Sequence, residues 1–509
     1  MSNVLEAEWA QAKTFWPVVN IYQEGGDMSD SRIMTQIERV VVVMIENRSL
    51  DNLLGWLYTD DCDDAATTPS FDGVKEGMHN TYKGAILPVH RNLRDAVQPF
   101  RVPRLDPHED FPHVTKQLFA NGGGEMPCRI EPGVIPKMQG FAWDFDAFYE
   151  SSDMLSEVMG AYDNSLLPII NGLARHYAVS DAWYSSVPSQ TNPNRAFSIC
   201  GTSLGRTSNL HEDAIETFKT KTIWNALPAD VSWGLYYQDI WEDKKCYTQY
   251  TFPQIDEAPG SGEIADINIF YAKAKSGQLP QFTYLEPAWG YGLGNESSFN
   301  GKQGNDYHPP TWVGPGEVFL NSVYEALIAN KDAWKNTLLV ITCDEHGGTY
   351  DHVPPPWGAI SPDNCRNSTG FGFDRFGVRV PTLLVSPFVT AGTVFRAHES
   401  ESHIPFDHTS LIATILRWQG VDPASAGLGA RVAQAPLFDA ALSAVARDDT
   451  PRFEVPPGYA EQGGGIENIA EAEGLSLART KVLIDRGGTT EEILNRLREY
   501  SRPAHSSGY

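Results

Sequence analysis

Positive charge is in short supply in this sequence: 39 Lys+Arg stand against 65 Asp+Glu, a formal net charge of −26 over 509 residues. Such a field repels phosphate backbones and strongly anionic bilayers. Nucleic acid is therefore excluded as a default partner, while small molecules and zwitterionic surfaces stay open. Cysteine is scarce too. Cys62, Cys128, Cys200, Cys246, Cys343 and Cys365 never fall as Cys-x-x-Cys, which excludes zinc-ribbon and thioredoxin-type motifs. Buried thiols and disulfides both fit that count. No run approaches the 18 or so apolar residues a membrane-spanning helix needs, and no repeat with a period of about 20–50 residues stands out. The opening Met1-Ser2-Asn3-Val4-Leu5-Glu6-Ala7-Glu8 carries acids where a secretory leader needs a basic stretch and then an apolar run. The expectation is a chain that acts in the cytoplasm or leaves the cell by a leaderless route, as a secreted effector.

What is present is a globular composition, 41% hydrophobic and 20% charged. Three short apolar runs stand out: Val40-Val41-Val42-Val43-Met44-Ile45, Thr337-Leu338-Leu339-Val340-Ile341 and Pro381-Thr382-Leu383-Leu384-Val385. Runs of this kind suit strands buried on both faces, as in a parallel sheet covered by helices. Weaker strand signals lie at 177–180 and 282–285, and a helical pattern at 317–330. The alternation predicts an α/β fold with a mainly parallel central sheet flanked by helices. Long stretches rich in Gly, Pro, Asp and aromatics, 59–137 and 287–316, read as functional or partly structured insertions.

Ligands of open α/β sheets bind beyond the carboxyl ends of the strands. The first run ends in Glu46-Asn47 and the second in Asp344-Glu345-His346-Gly347-Gly348. Two buried strands thus deliver acids to one sheet edge, and burying them without counter-charge costs about 3–5 kcal/mol. A divalent cation resolves that cost, and an oxygen-rich donor set favours a hard ion such as Ca²⁺, Mg²⁺ or Mn²⁺, with Zn²⁺ still open. Ordinary strand-end caps are the plainer alternative. In Ser186-Val187-Pro188-Ser189-Gln190-Thr191-Asn192-Pro193-Asn194-Arg195 a hydroxyl precedes a helix start. It reads either as a helix cap or as a nucleophile for phosphorus. His108, His308, His346 and His352 lie in loops beside Pro, Gly and acids, where they can donate to phosphoryl oxygens, protonate a leaving group or bind metal. His79, His90 and His113 read as ordinary loop histidines.

Together these segments resemble the bacterial phospholipase C and acid phosphatase family of phosphoesterases, within the alkaline phosphatase-like superfamily. Glu46-Asn47-Arg48-Ser49-Leu50-Asp51-Asn52-Leu53-Leu54-Gly55 is similar to the family pattern ENRSFDHYFG. The resemblance continues in order through Ser186-Val187-Pro188, Thr191 and Pro193-Asn194-Arg195, then Tyr284-Leu285-Glu286-Pro287, His308-Pro309-Pro310, the 15 residues from Thr342 to Pro356, and Phe406-Asp407-His408-Thr409-Ser410. It spans roughly 38–420. It implies an alkaline phosphatase-like core and metal-assisted in-line attack on a phosphate ester. Thr191 would be the nucleophile, and Glu46, Asn47, Thr191, Asp344 and Glu345 the metal ligands. His108, His308, His346 and His352 would serve as donors and general acid. Leu50, Asn52, Leu53 and Leu54 depart from the pattern and point to repacking behind the site. Ser189-Gln190 stands where Gly-Pro is usual, which leaves the turn before Thr191 open.

The function expected is that of a phospholipase C acting on phosphatidylcholine-like lipids, with peripheral membrane contact. The alternative is an acid phosphatase for soluble phosphomonoesters, and a metal-stabilised binding protein without turnover is the reading from another class. Trp143, Trp183, Tyr184 and Trp289 are candidates for a cage around a quaternary ammonium headgroup. The division expected is a catalytic domain over 1–430 and a partly helical extension over 431–509. The extension holds Gly463-Gly464-Gly465 and an apolar stripe of Ile493, Leu494, Leu497 and Tyr500. That stripe suits packing on its own domain, or docking and homo-oligomerisation.

Overall fold

The computed structural model describes residues 33–58, 70–93, 100–149, 154–209, 217–240, 244–289, 304–397 and 404–459. Cys62, Gly463-Gly464-Gly465 and the stripe expected from Ile493 to Tyr500 lie outside these residues. Val40 to Ile45 and Leu338 to Val340 have no exposed surface, and Ile341 almost none, so both faces of these strands are covered. That is why their sequences do not alternate. They lie side by side and parallel at the centre of an eight-stranded sheet, with Val40 opposite Leu338 and Ile45 opposite Cys343. In spatial order the sheet runs Thr393–Val394, Ala178–Ser180, Thr382–Val385, Thr337–Cys343, Arg39–Ile45, Phe282–Leu285, Trp233–Tyr237 and Gly262–Asp266. Thr382–Val385 alone runs antiparallel to the rest. The mixed α/β fold with a mainly parallel sheet is as the sequence predicts.

Helices close over this sheet. Gly314–Ala329 packs on Pro168–His176 and Ile267–Ser276, while Thr191–Cys200 packs on His408–Trp418. Buried polar groups tie the layers. Glu317 accepts from the backbone N–H groups of Ile169 and Ile170 and from Tyr307 Oη at 2.7 Å, capping the first turn of Pro168–His176. Burial pushes its carboxyl up to about 7. The described part of the stretch before residue 137 holds regular structure. Its hairpin His79–Tyr82/Ala85–Pro88 and helix Phe111–Phe119 join Phe141–Tyr149 around a second apolar cluster that includes Tyr82, Leu118 and Phe141.

Residues 431–459 lie on the main core. Val432, Phe438 and Tyr459 are buried in it, and Tyr459 Oη donates to Leu166 O at 2.9 Å. The five described cysteines are free thiols. No helix among the described residues is long and apolar enough to cross a membrane.

Candidate active site

The parallel pairing of the two central strands sets the site. Their carboxyl ends are level, and Asp344 N–H donates to Ile45 O at 3.1 Å, so Glu46-Asn47 and Asp344-Glu345 emerge beside each other. Asn47 takes a positive φ of 44°, a conformation asparagine tolerates. Its N–H donates to Asp344 Oδ1 at 3.1 Å, and Glu345 N–H donates to the same oxygen at 2.8 Å. After Glu345 the chain turns through Gly347 and Gly348, with φ of 59° and 62°. A Cβ on Gly347 would lie 2.0 Å from Asn47 O, and one on Gly348 2.6 Å from the Pro107 Cβ. Close backbone approach therefore requires glycine at both positions, and it draws the His108 loop to the same edge.

The Thr191 hydroxyl does not serve as a helix cap. Thr191 is the first residue of helix Thr191–Cys200; the side chain of the N-cap, Gln190, makes no capping hydrogen bond, and Asn209 Oδ1 accepts from Asn192 N–H at 2.7 Å in its place. The Thr191 hydroxyl instead lies 3.3 Å from Glu46 Oε2 and 3.3 Å from Asn47 Oδ1. The turn before it is fixed without Gly-Pro. Asn194 Nδ2 donates to Val187 O, Ser189 O and Gln190 O, and Asn194 Oδ1 accepts from Val187 N–H. Gln190 Oε1 accepts from Asn209 N–H at 2.9 Å. On the other departures, Leu50, Leu53 and Leu54 are fully buried and Asn52 Nδ2 donates to Gly160 O, so they pack behind the site.

The acids are crowded, and Glu46, Asp344 and Glu345 are dry. Burial and neighbouring carboxylates push Asp344 up to about 7 and Glu109 up to about 8, and drive Glu345 well above the usual range. Burial likewise raises Glu46, against the pull of Arg195. One buried cation answers them: Arg195 Nε donates to Glu46 Oε1 at 2.9 Å and to Asp344 Oδ2 at 3.1 Å. Four carboxyls face one guanidinium, too little positive charge for all four to ionise together, and Glu345 Oε1 is buried with no hydrogen-bond partner. An oxygen-only donor set with an orphaned carboxylate oxygen fits a hard divalent cation. Glu46, Asp344 and Glu345 do not bring one oxygen each within 4.8 Å of one another. Arg195 bridges the first two.

The predicted histidines divide. Asn47 Nδ2 donates to His308 Nε2 at 2.8 Å, and the His308 Nδ1 side faces Pro309 O, a pairing that assigns the ring proton to Nδ1. His346 is buried, with Nε2 2.8 Å from Gln117 Oε1 and Nδ1 3.3 Å from Glu345 Oε2. Burial lowers it to about 3, so its ring is neutral and holds neighbours in place. His108 is half-buried on the loop that Gly348 contacts. His352 stands in a different network. Its Nδ1 is 2.7 Å from Asp51 Oδ2 and its Nε2 3.3 Å from Asp72 Oδ1, and Arg379 pairs with Asp51 and Asp351.

The ammonium-cage expectation is corrected. Trp183 has no exposed surface and stacks on Phe406, Tyr184 packs with Phe376, and Trp143 donates to Thr81 O and Gly122 O. Trp289 covers Arg195. These four rings fill four separate places because each is needed to close local packing.

Sequence reasoning gave no role to Arg195, Glu109 or Gln117. Only Arg195 carried a signal, its place in the Thr191 motif.

The chain matches the Phosphoesterase family over residues 37–422. It belongs to that family. As a phosphoesterase it is a phosphoric ester hydrolase, as the resemblance implied. It is 33% identical over 393 residues to non-specific phospholipase C1 of Arabidopsis thaliana, covering 75% of this chain and 67% of the relative. It is 26% identical over 428 residues to phospholipase C B of Mycobacterium tuberculosis strain H37Rv, covering 76% and 74%. Among solved structures it is similar to a protein in the alkaline phosphatase superfamily from Vibrio parahaemolyticus. That likeness is at 13% identity and a TM-score of 0.29, over 53% of this chain and 64% of the other.

Proposed function

We propose that this phosphoesterase is a phospholipase C that cleaves phosphatidylcholine-like lipids to diacylglycerol and a phospho-headgroup, through a phosphorylated Thr191. The observation that carries the reading is the Thr191 hydroxyl, free of any capping duty and 3.3 Å from both Glu46 Oε2 and Asn47 Oδ1. The names of its relatives favour a lipid diester over a soluble monoester.

Thr191 Oγ1 attacks phosphorus, passing its proton to Glu46 Oε2, as the bond to the glycerol oxygen breaks. His308 accepts from Asn47 Nδ2 and holds that amide in place, while His108, on the adjoining loop, faces the phosphoryl group and passes its proton to the departing diacylglycerol oxygen. Water then cleaves the phosphothreonine. A divalent cation held by Glu46, Asn47, Thr191, Asp344 and Glu345 would lower the hydroxyl's pKa and neutralise phosphoryl charge. His346 and Gln117 act on Glu345 and so position rather than react.

The test is product analysis of phosphatidylcholine vesicles incubated with the protein, with and without a chelator, beside a soluble aryl phosphate. Phosphocholine and diacylglycerol that vanish on chelation support the reading, as does acid-quenched protein phosphorylated at Thr191. Intact lipid with rapid aryl phosphate cleavage overturns it in favour of the acid phosphatase.

A further inference from the structure

Helix Phe111–Phe119 begins at the rim of the site with an aspartate that does not cap it. Asp110 is the N-cap residue, yet its side chain makes no capping hydrogen bond. A capping Asp typically stabilises a helix by about 1 kcal/mol, and this carboxylate forgoes that role. One ligating atom each from His108, Asp110 and His113 lies within 4.8 Å of the others, and all three residues are partly open to solvent. The two imidazoles face each other with centroids 4.3 Å apart at 30°.

Behind them stands a second layer. His113 Nδ1 is 2.9 Å from Oδ1 of the buried Asp144. Asp144 Oδ2 accepts from Gln117 Nε2 at 3.0 Å, and Lys116 Nζ lies 3.8 Å from Oδ1. A carboxylate that holds one ring nitrogen and turns the other outward is the arrangement that orients metal-bound histidines.

We propose that His108, Asp110 and His113 form a second cation site at the rim of the active centre, one that takes Zn²⁺ and through it inhibits the enzyme by withdrawing His108 from the phosphoryl group. Two imidazole nitrogens and one carboxylate oxygen are the donors of a zinc-type ion, with a fourth position left to water. The Glu46–Glu345 edge offers oxygen donors alone and suits a hard ion. The two sites thus select different metals. Ion capture stands on the geometry of the three residues, whereas inhibition rests on the role proposed above for His108.

The experiment is a titration of the full chain, first loaded with whichever hard cation supports turnover, using Co²⁺ as the spectroscopic probe and Zn²⁺ as its competitor. The wild type is expected to show the visible absorption of one Co²⁺ bound to nitrogen, displaced by Zn²⁺. His113→Gln is expected to weaken that binding at least ~10-fold, and Asp110→Asn, a gentler change, to weaken it too. Zn²⁺ needed for half-inhibition, measured against each variant's own uninhibited rate, should rise by a similar factor. Unchanged Co²⁺ spectra in both variants overturn the site. Zn²⁺ binding to wild type without loss of turnover overturns the inhibition and, with it, the role of His108 in the reaction.

Discussion

The indole of Trp289 lies over the guanidinium of Arg195, 4.7 Å from ring centroid to central carbon. It is held there by its own Nε1, which donates to Glu286 Oε1 at 3.0 Å. Glu286 also accepts from the Tyr247 and Thr248 N–H groups, and the Tyr247 ring lies 5.8 Å from the same guanidinium. The Tyr284-Leu285-Glu286-Pro287 motif therefore supports the cation that pairs Glu46 with Asp344. Replacing Arg195 by Met strands those two carboxylates. A destabilisation of about 3–5 kcal/mol is expected, read by urea unfolding and partly recovered when a divalent cation is added. Equal stability of variant and wild type in the chelated state would contradict this account.

Thr191→Ala removes a hydroxyl from a residue that caps nothing, so stability should change by under about 1 kcal/mol. Turnover should fall by roughly 10³-fold or more, while phosphate still binds. Thr191→Ser keeps the oxygen and should retain measurable turnover. Steady-state rates and calorimetric phosphate binding on the same preparations check both halves.

Gln117 links three parts of the site. It contacts His346 Nε2 and donates to Asp144 and to His108 O. Gln117→Leu frees the His346 ring beside Glu345. The expected cost is about 10–100-fold in metal affinity, and turnover should recover at saturating cation. Failure to recover would mean that Gln117 acts on the reacting groups rather than through the metal ligands.

The pH dependence of stability should report His352. Burial alone would lower it, but hydrogen bonds to Asp51 and Asp72 outweigh burial and raise it to about 10, above the ordinary histidine value. A raised value in the folded state means stabilisation that is fully present below about pH 6.5. It is lost progressively as pH climbs toward 10. Hydrogen bonding to His352 holds Asp72 down to about 2, so that group's contribution persists until strongly acid pH. Denaturation midpoints for wild type and His352→Gln should converge between pH 7 and 10. Parallel curves across that range would remove His352 from the network's energetics.

The strands and the acids at their ends could be read from sequence because a fully buried strand has to be apolar throughout. Val40–Ile45 and 338–341 announce their burial, and Glu46 and Asp344 are conspicuous for interrupting it. Thr191 was legible as a hydroxyl at a helix start, but only the structure shows that the hydroxyl faces Glu46 instead of capping the helix. Arg195 and Gln117 were not legible. An arginine or glutamine within a helix resembles any surface residue until the fold buries it. The surroundings of His352 were not legible either: a short step beyond His346 across the glycine turn, it swings into a network with Asp51 and Arg379. The aromatic rings misled through abundance, since a tryptophan in the sequence does not show which face it will fill.

At Gly347 and Gly348 three distant stretches of chain, around residues 47, 107 and 347, press backbone to backbone. A joint of this kind works like the keystone of an arch. Any side chain inserted there would part all three stretches at once, so a saturation library at these two positions should return glycine alone. Swaps between relatives should succeed only when all three stretches travel together. Adaptation to new substrates is thereby pushed outward, to the rim loops that the joint does not hold.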